Sequence, residues 1–88
     1  MSYVDEKTAI GYFCAHGMCG DQDYEEAFKW YKEASNEGSG EASFNIGYLY
    51  ANAASGEVDI DEAIKWWRLS AEQGYEPAEQ ALSLMSEE

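Results

Sequence analysis

The chain has 88 residues, enough for one small domain and too few for two cores. Apolar residues make up 45% of it and aromatics 15%, which supplies a packed interior and excludes a disordered tail. Eighteen acids against five bases give a formal charge of −13, which excludes a basic surface for nucleic acid or anionic lipid.

The first predicted helix covers about residues 4–16. The N-terminus meets Asp5 and Glu6 before any apolar run forms and has no basic lead, so a secretory signal is not expected. Gly11 lies inside this helix, where glycine costs about 1 kcal/mol against alanine. Its expected use is to let another helix approach the backbone. The second predicted helix covers about 23–37. Asp23-Tyr24-Glu25-Glu26 has the D-x-x-E form of a capping box, and its acids suit the positive end of the helix dipole. Tyr24, Ala27, Phe28, Tyr31 and Ser35 form the expected buried stripe, and Gly38 is the expected left-handed stop.

The third predicted helix covers about 41–54. Ala42, Ile46, Leu49, Tyr50 and Ala53 make an apolar helical stripe, and Gly47 again lies inside. The longest uncharged stretch, Ala42 to Gly56, is broken by Asn45 and Asn52 and does not read as a membrane span. The fourth helix is expected at about 59–73, capped by Asp59-Ile60-Asp61-Glu62 and stopped by Gly74. Its stripe is Ile60, Ala63, Ile64, Trp67 and Ala71, with Ala63, like Ala27, small enough for close packing. Glu25 with Lys29, and Asp61 with Lys65, have i,i+4 spacing for exposed ion pairs. A last helix is expected at about 77–86, with Pro77 in its first turn. No segment alternates like a strand.

These elements repeat. At an offset of 36 residues, Ile10-Gly11-Tyr12 falls on Ile46-Gly47-Tyr48, and Ala15 on Ala51. Gly20 falls on Gly56, Asp23 on Asp59, Glu26-Ala27 on Glu62-Ala63, Lys29-Trp30 on Lys65-Trp66, and Gly38 on Gly74. A broken third copy begins at Pro77-Ala78, where Ala78 matches Ala42 and Leu82 matches Ile46. A period of this length is the mark of a stacked helical repeat. The expected architecture is all-α: a single domain over 1–88, with repeat one at about 5–40, repeat two at about 41–76 and a capping helix at about 77–86.

The two units resemble the Sel-one-like repeat (SLR) family, a relative of the tetratricopeptide repeats. Its unit runs A-x-x-x-L-G-x-x-Y, a glycine-bearing loop, then D-x-x-x-A-x-x-W-Y-x-x-A-A-x-x-G. Unit one reads EKTAIGYFCAHGMCGDQDYEEAFKWYKEASNEG and unit two ASFNIGYLYANAASGEVDIDEAIKWWRLSAEQG. Unit one departs from the pattern at Glu6 and Cys14, and unit two carries Trp67 in the Tyr position. A secreted branch of the family carries cysteines where Ser35 and Ser43 stand, so that branch and its wall-related chemistry are not expected. The resemblance implies a right-handed α-solenoid whose first helices line a concave face, and an adaptor or scaffold role in holding partner proteins. No residue of the motif is catalytic.

By position, the concave lining is Thr8, Tyr12 and His16 in unit one, Phe44, Tyr48 and Asn52 in unit two, and Gln80 and Leu84 in the last helix. Spacing by four places each set in one stripe. Tyr12, Phe44 and Tyr48 would make an aromatic floor of the kind that anchors a peptide or helix. The alternative is that these rings pack between units, since so small a domain needs its aromatics for the core. The acids not used as caps include Glu37, Glu41, Glu57, Glu72, Glu76 and Glu79. They serve either solubility or the steering of a basic partner at short range.

Enzyme chemistry is not expected. No phosphate-binding glycine loop occurs. Cys14 and His16, two apart on a helix, point about 200° from one another. Two cysteines and one histidine cannot build a four-ligand zinc site or a disulfide framework. Cys14 reads as a small buried residue and Cys19 as a loop residue, in a reducing cytoplasm. No cofactor, metal or membrane is expected. The leading function is a non-enzymatic protein-binding module. The alternative is a small acidic inhibitor, phage-type, that imitates nucleic acid and blocks a DNA- or RNA-binding defence protein. Self-association through the solenoid ends is a further expectation, because two and a third units fall short of about three.

Overall fold

A computed structural model describes residues 3–16, 24–52 and 58–86. Five helices follow in order: α1 (Tyr3–His16), α2 (Tyr24–Asn36), α3 (Gly40–Ala51), α4 (Ile60–Glu72) and α5 (Glu76–Ser86). No strand occurs among the described residues. α1 packs along α2 and α3 along α4, forming two hairpins. The hairpins stack through α2 against α3, and α5 closes over α4. The result is the expected all-α solenoid.

The glycines act at two kinds of place. Gly38 and Gly74 have φ of 102° and 92°, the left-handed region that ends a helix. At each, two N–H groups turn back: Ser39 N–H to Ala34 O and Gly38 N–H to Ser35 O, then Tyr75 N–H to Ser70 O and Gly74 N–H to Ala71 O. This is the Schellman closure, repeated after 36 residues. Gly11 and Gly47 admit rings instead. A Cβ at Gly11 would lie 2.6 Å from Cδ1 of Tyr31, and one at Gly47 would lie 2.6 Å from Trp67 and 2.9 Å from the Ala63 carbonyl. Each hairpin is thus set by a buried aromatic lying on a bare stretch of helix, with Ala27 and Ala63 fully buried nearby.

The helix starts differ in detail from expectation. Asp59 caps α4, accepting from Glu62 N–H at 3.1 Å. The return half of the capping box is absent, because Asp59 N–H donates instead to Tyr50 O at 3.0 Å. The expected cap at Asp23 lies outside the described residues. Ser39, not singled out from the sequence, caps α3 by accepting from Ala42 N–H at 3.1 Å. It ends one helix and starts the next, which leaves a very short turn. α3 stops at Ala51 rather than near 54, with Asn52 as its C-cap.

The core holds Ala15, Ala27, Tyr31, Ala34, Ala42, Ile46 and Leu49, with Cys14, Tyr24, Phe28, Tyr50 and Trp66 against it. Cys14 is half-buried, and Cys19 lies outside the described residues. Two expectations are corrected. Ile60 is exposed, because it is the first residue of α4 and overhangs the end of the stripe. Near the other end of α4, Ser70 is buried and its hydroxyl donates to Gly40 O. The ion pairs form as i,i+3, Glu26 with Lys29 at 4.0 Å and Glu62 with Lys65 at 3.4 Å, rather than as Glu25–Lys29 and Asp61–Lys65. Three and four residues both bring side chains together on a helix. In both pairs the acid used, Glu26 or Glu62, is half-buried, whereas Glu25 and Asp61 are exposed.

Equivalent positions are filled with different chemistry. In unit one Lys7 pairs with Glu37, and with Glu33 at 3.5 Å. In unit two the same two places hold Ser43 and Gln73, joined by a 2.6 Å hydrogen bond. Thr8 and Ser39 share a 3.0 Å hydrogen bond in unit one. Their counterparts, Phe44 and Tyr75, meet as rings with centroids 5.4 Å apart.

Candidate partner-binding face

The face shared by the first helices takes its shape from the ring seats beneath it. Tyr31 fills the space over Gly11, with its hydroxyl bonded to the Asn45 side chain. Burial, then the nearby Tyr12 and Glu41, hold the Tyr31 hydroxyl well above the usual tyrosine range. Trp67 fills the space over Gly47, and its indole N–H donates to Phe44 O at 3.1 Å.

The predicted lining divides into three groups. Tyr12 and Tyr48, 36 positions apart, are both open to solvent, Tyr48 at 55% exposure. Gln80 and Leu84 of α5 are exposed too. Thr8 is buried against Ser39, and Phe44 is half-buried, its ring 5.9 Å from that of Trp67 and stacked on it. Asn52 is exposed but turned back on its own helix, donating to Tyr48 O at 2.9 Å. His16 is the last residue of α1, and its side chain lies outside the described residues. The two tyrosines are therefore the open aromatics of the predicted lining among the described residues, and Phe44 belongs to the packing within the second hairpin.

A groove of about 280 Å³ runs beside Tyr12. Thr8, Ala9, Tyr12 and Phe13 of α1 line one side, and Glu41 of α3 closes the other. The sequence places Thr8 and Tyr12 in one stripe and does not bring Glu41 to them. Nor does it single out Ala9 and Phe13. The signal was present in the repeat: Ile10 and Phe13 match Ile46 and Leu49, which dock unit two on unit one. Ile46 is 0% exposed and Leu49 7%, against 36% and 44% for Ile10 and Phe13. Among the described residues nothing precedes unit one to cover them.

The acids also separate. Glu37 is paired with Lys7, and the pairing raises the Lys7 pKa. Glu57 lies outside the described residues. Glu41, Glu72, Glu76 and Glu79 are exposed, and no basic side chain among the described residues forms an ion pair with them. Glu41 alone of these borders the groove, and its charge contributes to raising the Tyr31 and Tyr75 hydroxyls. Among the described residues no three His, Cys, Asp or Glu side chains are placed to hold a metal ion. No helix there is long and apolar enough to cross a membrane.

The family model of the Sel1 repeat matches residues 8–39 and again 40–75. The chain belongs to the Sel1 repeat family. Solved Sel1 structures superpose on it closely. The Sel1 repeat protein from Oxalobacter formigenes is 36% identical with a TM-score of 0.84, over 94% of this chain and 34% of its own. The protective antigen c5321 of uropathogenic Escherichia coli strains, which displays an SLR fold, is 26% identical with a TM-score of 0.84, over 93% of this chain and 18% of its own. The chain thus spans about a third of the first and under a fifth of the second. No curated protein matches. Sel1 repeat proteins generally mediate contacts between proteins and are generally not enzymes.

Proposed function

We propose that this Sel1 chain is a non-enzymatic adaptor that holds a partner protein on the face carrying Tyr12 and Tyr48, with Glu41 and its neighbouring acids favouring a basic contact surface. The observation that carries this reading is the pair of solvent-open tyrosines at equivalent places of the two hairpins, 36 residues apart. Large aromatics left open on a repeat face are typical anchors for a partner. Gln80 and Leu84 extend the same face on α5. A cytoplasmic setting is part of the proposal, supported by a sequence whose two cysteines are too few for a disulfide framework.

The test is affinity capture from native extract with the wild-type chain and with Tyr48→Ala, at low and high salt. An adaptor loses its partner on Tyr48→Ala and is weakened only modestly as salt rises. A partner that survives the substitution and is shed steeply by salt would replace this reading with the acidic nucleic-acid mimic.

A second reading has its own observation. Ile10 and Phe13 occupy the places by which unit two docks, yet stay open to solvent. We propose that this end of the solenoid associates with another chain, including a second copy. Sedimentation over a concentration series should show association that Phe13→Asp removes. A strict monomer at high concentration ends this reading.

A further inference from the structure

We propose that the groove between α1 and α3 seats one lysine or arginine side chain of a partner polypeptide, with its aliphatic stem against Tyr12 and Phe13 and its charge against Glu41. This inference rests on the adaptor reading and names the contact that reading leaves open. Three properties of the groove favour such a guest. Its volume, about 280 Å³, suits a single long side chain and is too small for a helix. Its wall is apolar and aromatic at Ala9, Tyr12 and Phe13, and its far edge is a carboxylate. Lysine and arginine have matching parts, an apolar stem and a cationic head. A cation gains both from an aromatic face and from a charge-assisted hydrogen bond to a carboxylate.

The chain's own bases do not fill this place. Lys7 is held by Glu33 and Glu37, Lys29 by Glu26 and Lys65 by Glu62, and Lys32 lies over the Phe28 ring. Arg68 is on α4 and is not part of the lining. Among the described residues Glu41 therefore borders an aromatic groove without an ion-pair partner, on a chain of net charge −13.

The repeat supplies an internal comparison. At the same places unit two has Phe44, Asn45, Tyr48, Leu49 and Pro77. Proline stands where Glu41 would recur. Phe44 is stacked on Trp67 and Leu49 is buried, so the space is filled and the charge is gone. The seat is specific to unit one.

The experiment is a heteronuclear NMR titration of the full chain with N-acetyl-lysine amide, N-acetyl-arginine amide and the uncharged isostere N-acetyl-norleucine amide. The two cations should shift the signals of Thr8 to Phe13 and of Glu41 and saturate, while norleucine amide leaves them in place. Glu41→Gln, at an exposed position, should weaken the cations by about threefold or more, and Phe13→Ala should weaken them as well. Tyr48→Ala should not. Equal shifts with norleucine, equal response at Glu72, Glu76 and Glu79, or indifference to Glu41→Gln would overturn the proposal. The two readings fail separately. Saturable cation binding here, with a captured partner indifferent to Tyr48→Ala, keeps the seat and removes the adaptor face. Capture that needs Tyr48, with no cation response here, does the reverse.

Discussion

Ser35 at the end of α2 and Ser43 on α3 face each other with their hydroxyl oxygens 2.7 Å apart, both buried. Ser43 also donates to Gln73 Oε1 at 2.6 Å, and Gln73 Nε2 donates to Ser35 O at 3.0 Å, so a closed polar cluster joins the two hairpins. The two serine hydroxyls thus link the end of α2 to α3 without a covalent bond. Replacing both by cysteine in a background lacking Cys14 and Cys19 should allow a disulfide under oxidising conditions. Closing so short a loop should stabilise the fold by about 2–3 kcal/mol. Denaturant midpoints with and without reductant measure this, and equal midpoints after confirmed crosslinking would contradict it.

Gly47→Ala should destabilise the chain although alanine favours helix by about 1 kcal/mol. The new methyl meets both Trp67 and the Ala63 carbonyl, and backbone cannot swing aside as a ring can. A net loss of about 1–3 kcal/mol is expected from such overpacking. Gly11→Ala meets the Tyr31 ring alone and should lose less. Urea midpoints of the two variants give the order, and the reverse order would refute the ring-seat account.

The helical frame was legible because its signals are local and were given twice. Gly38 and Gly74 stop helices, Asp59 starts one, and the offset of 36 aligns both hairpins. What escaped depended on neighbours that a stripe along one helix cannot show. Ser39 looked like loop because its capping partner, Ala42 N–H, exists only once the short turn has formed. Thr8 and Phe44 share a helical face with Tyr12 and Tyr48, yet Ser39 and Tyr75 reach over from the next turn and pack against them. Glu41 was read as one acid among many. Its position across from Phe13 is a tertiary fact, set by how α3 lies on α1.

Stability should fall on the alkaline side. Tyr31, Tyr50 and Tyr75 all have pKa values raised, mainly by burial, and Lys7 is raised mainly by its hydrogen bond to Glu37. For each group the folded chain holds its proton more tightly than the unfolded chain. The stabilisation is therefore complete below the unfolded pKa, about 10 for these groups, and is lost as pH rises through the folded value. Thermal melts from neutral pH to above pH 10 should show a decline that Tyr31→Phe makes shallower. Tyrosinate absorbance should rise together with loss of helix. Ionisation of Tyr31 ahead of unfolding would contradict the burial argument.

Asp59→Ala should cost about 1 kcal/mol, the usual worth of an N-cap, and Asp59→Asn should restore most of it. The side chain acts as acceptor for Glu62 N–H, and asparagine accepts equally well. Chemical denaturation of the two variants decides the point. If asparagine behaves like alanine, the carboxylate's charge near the helix dipole matters more than the hydrogen bond.

Lys7 with Glu37, and Ser43 with Gln73, close equivalent joints by unlike means, one by opposite charges and the other by neutral groups. Ionic strength is therefore a one-sided perturbation. Added electrolyte shields the clasp of the first hairpin and leaves that of the second untouched, because only charged contacts are screened. Under such conditions the joint between α1 and α2 should weaken more than the joint between α3 and α4.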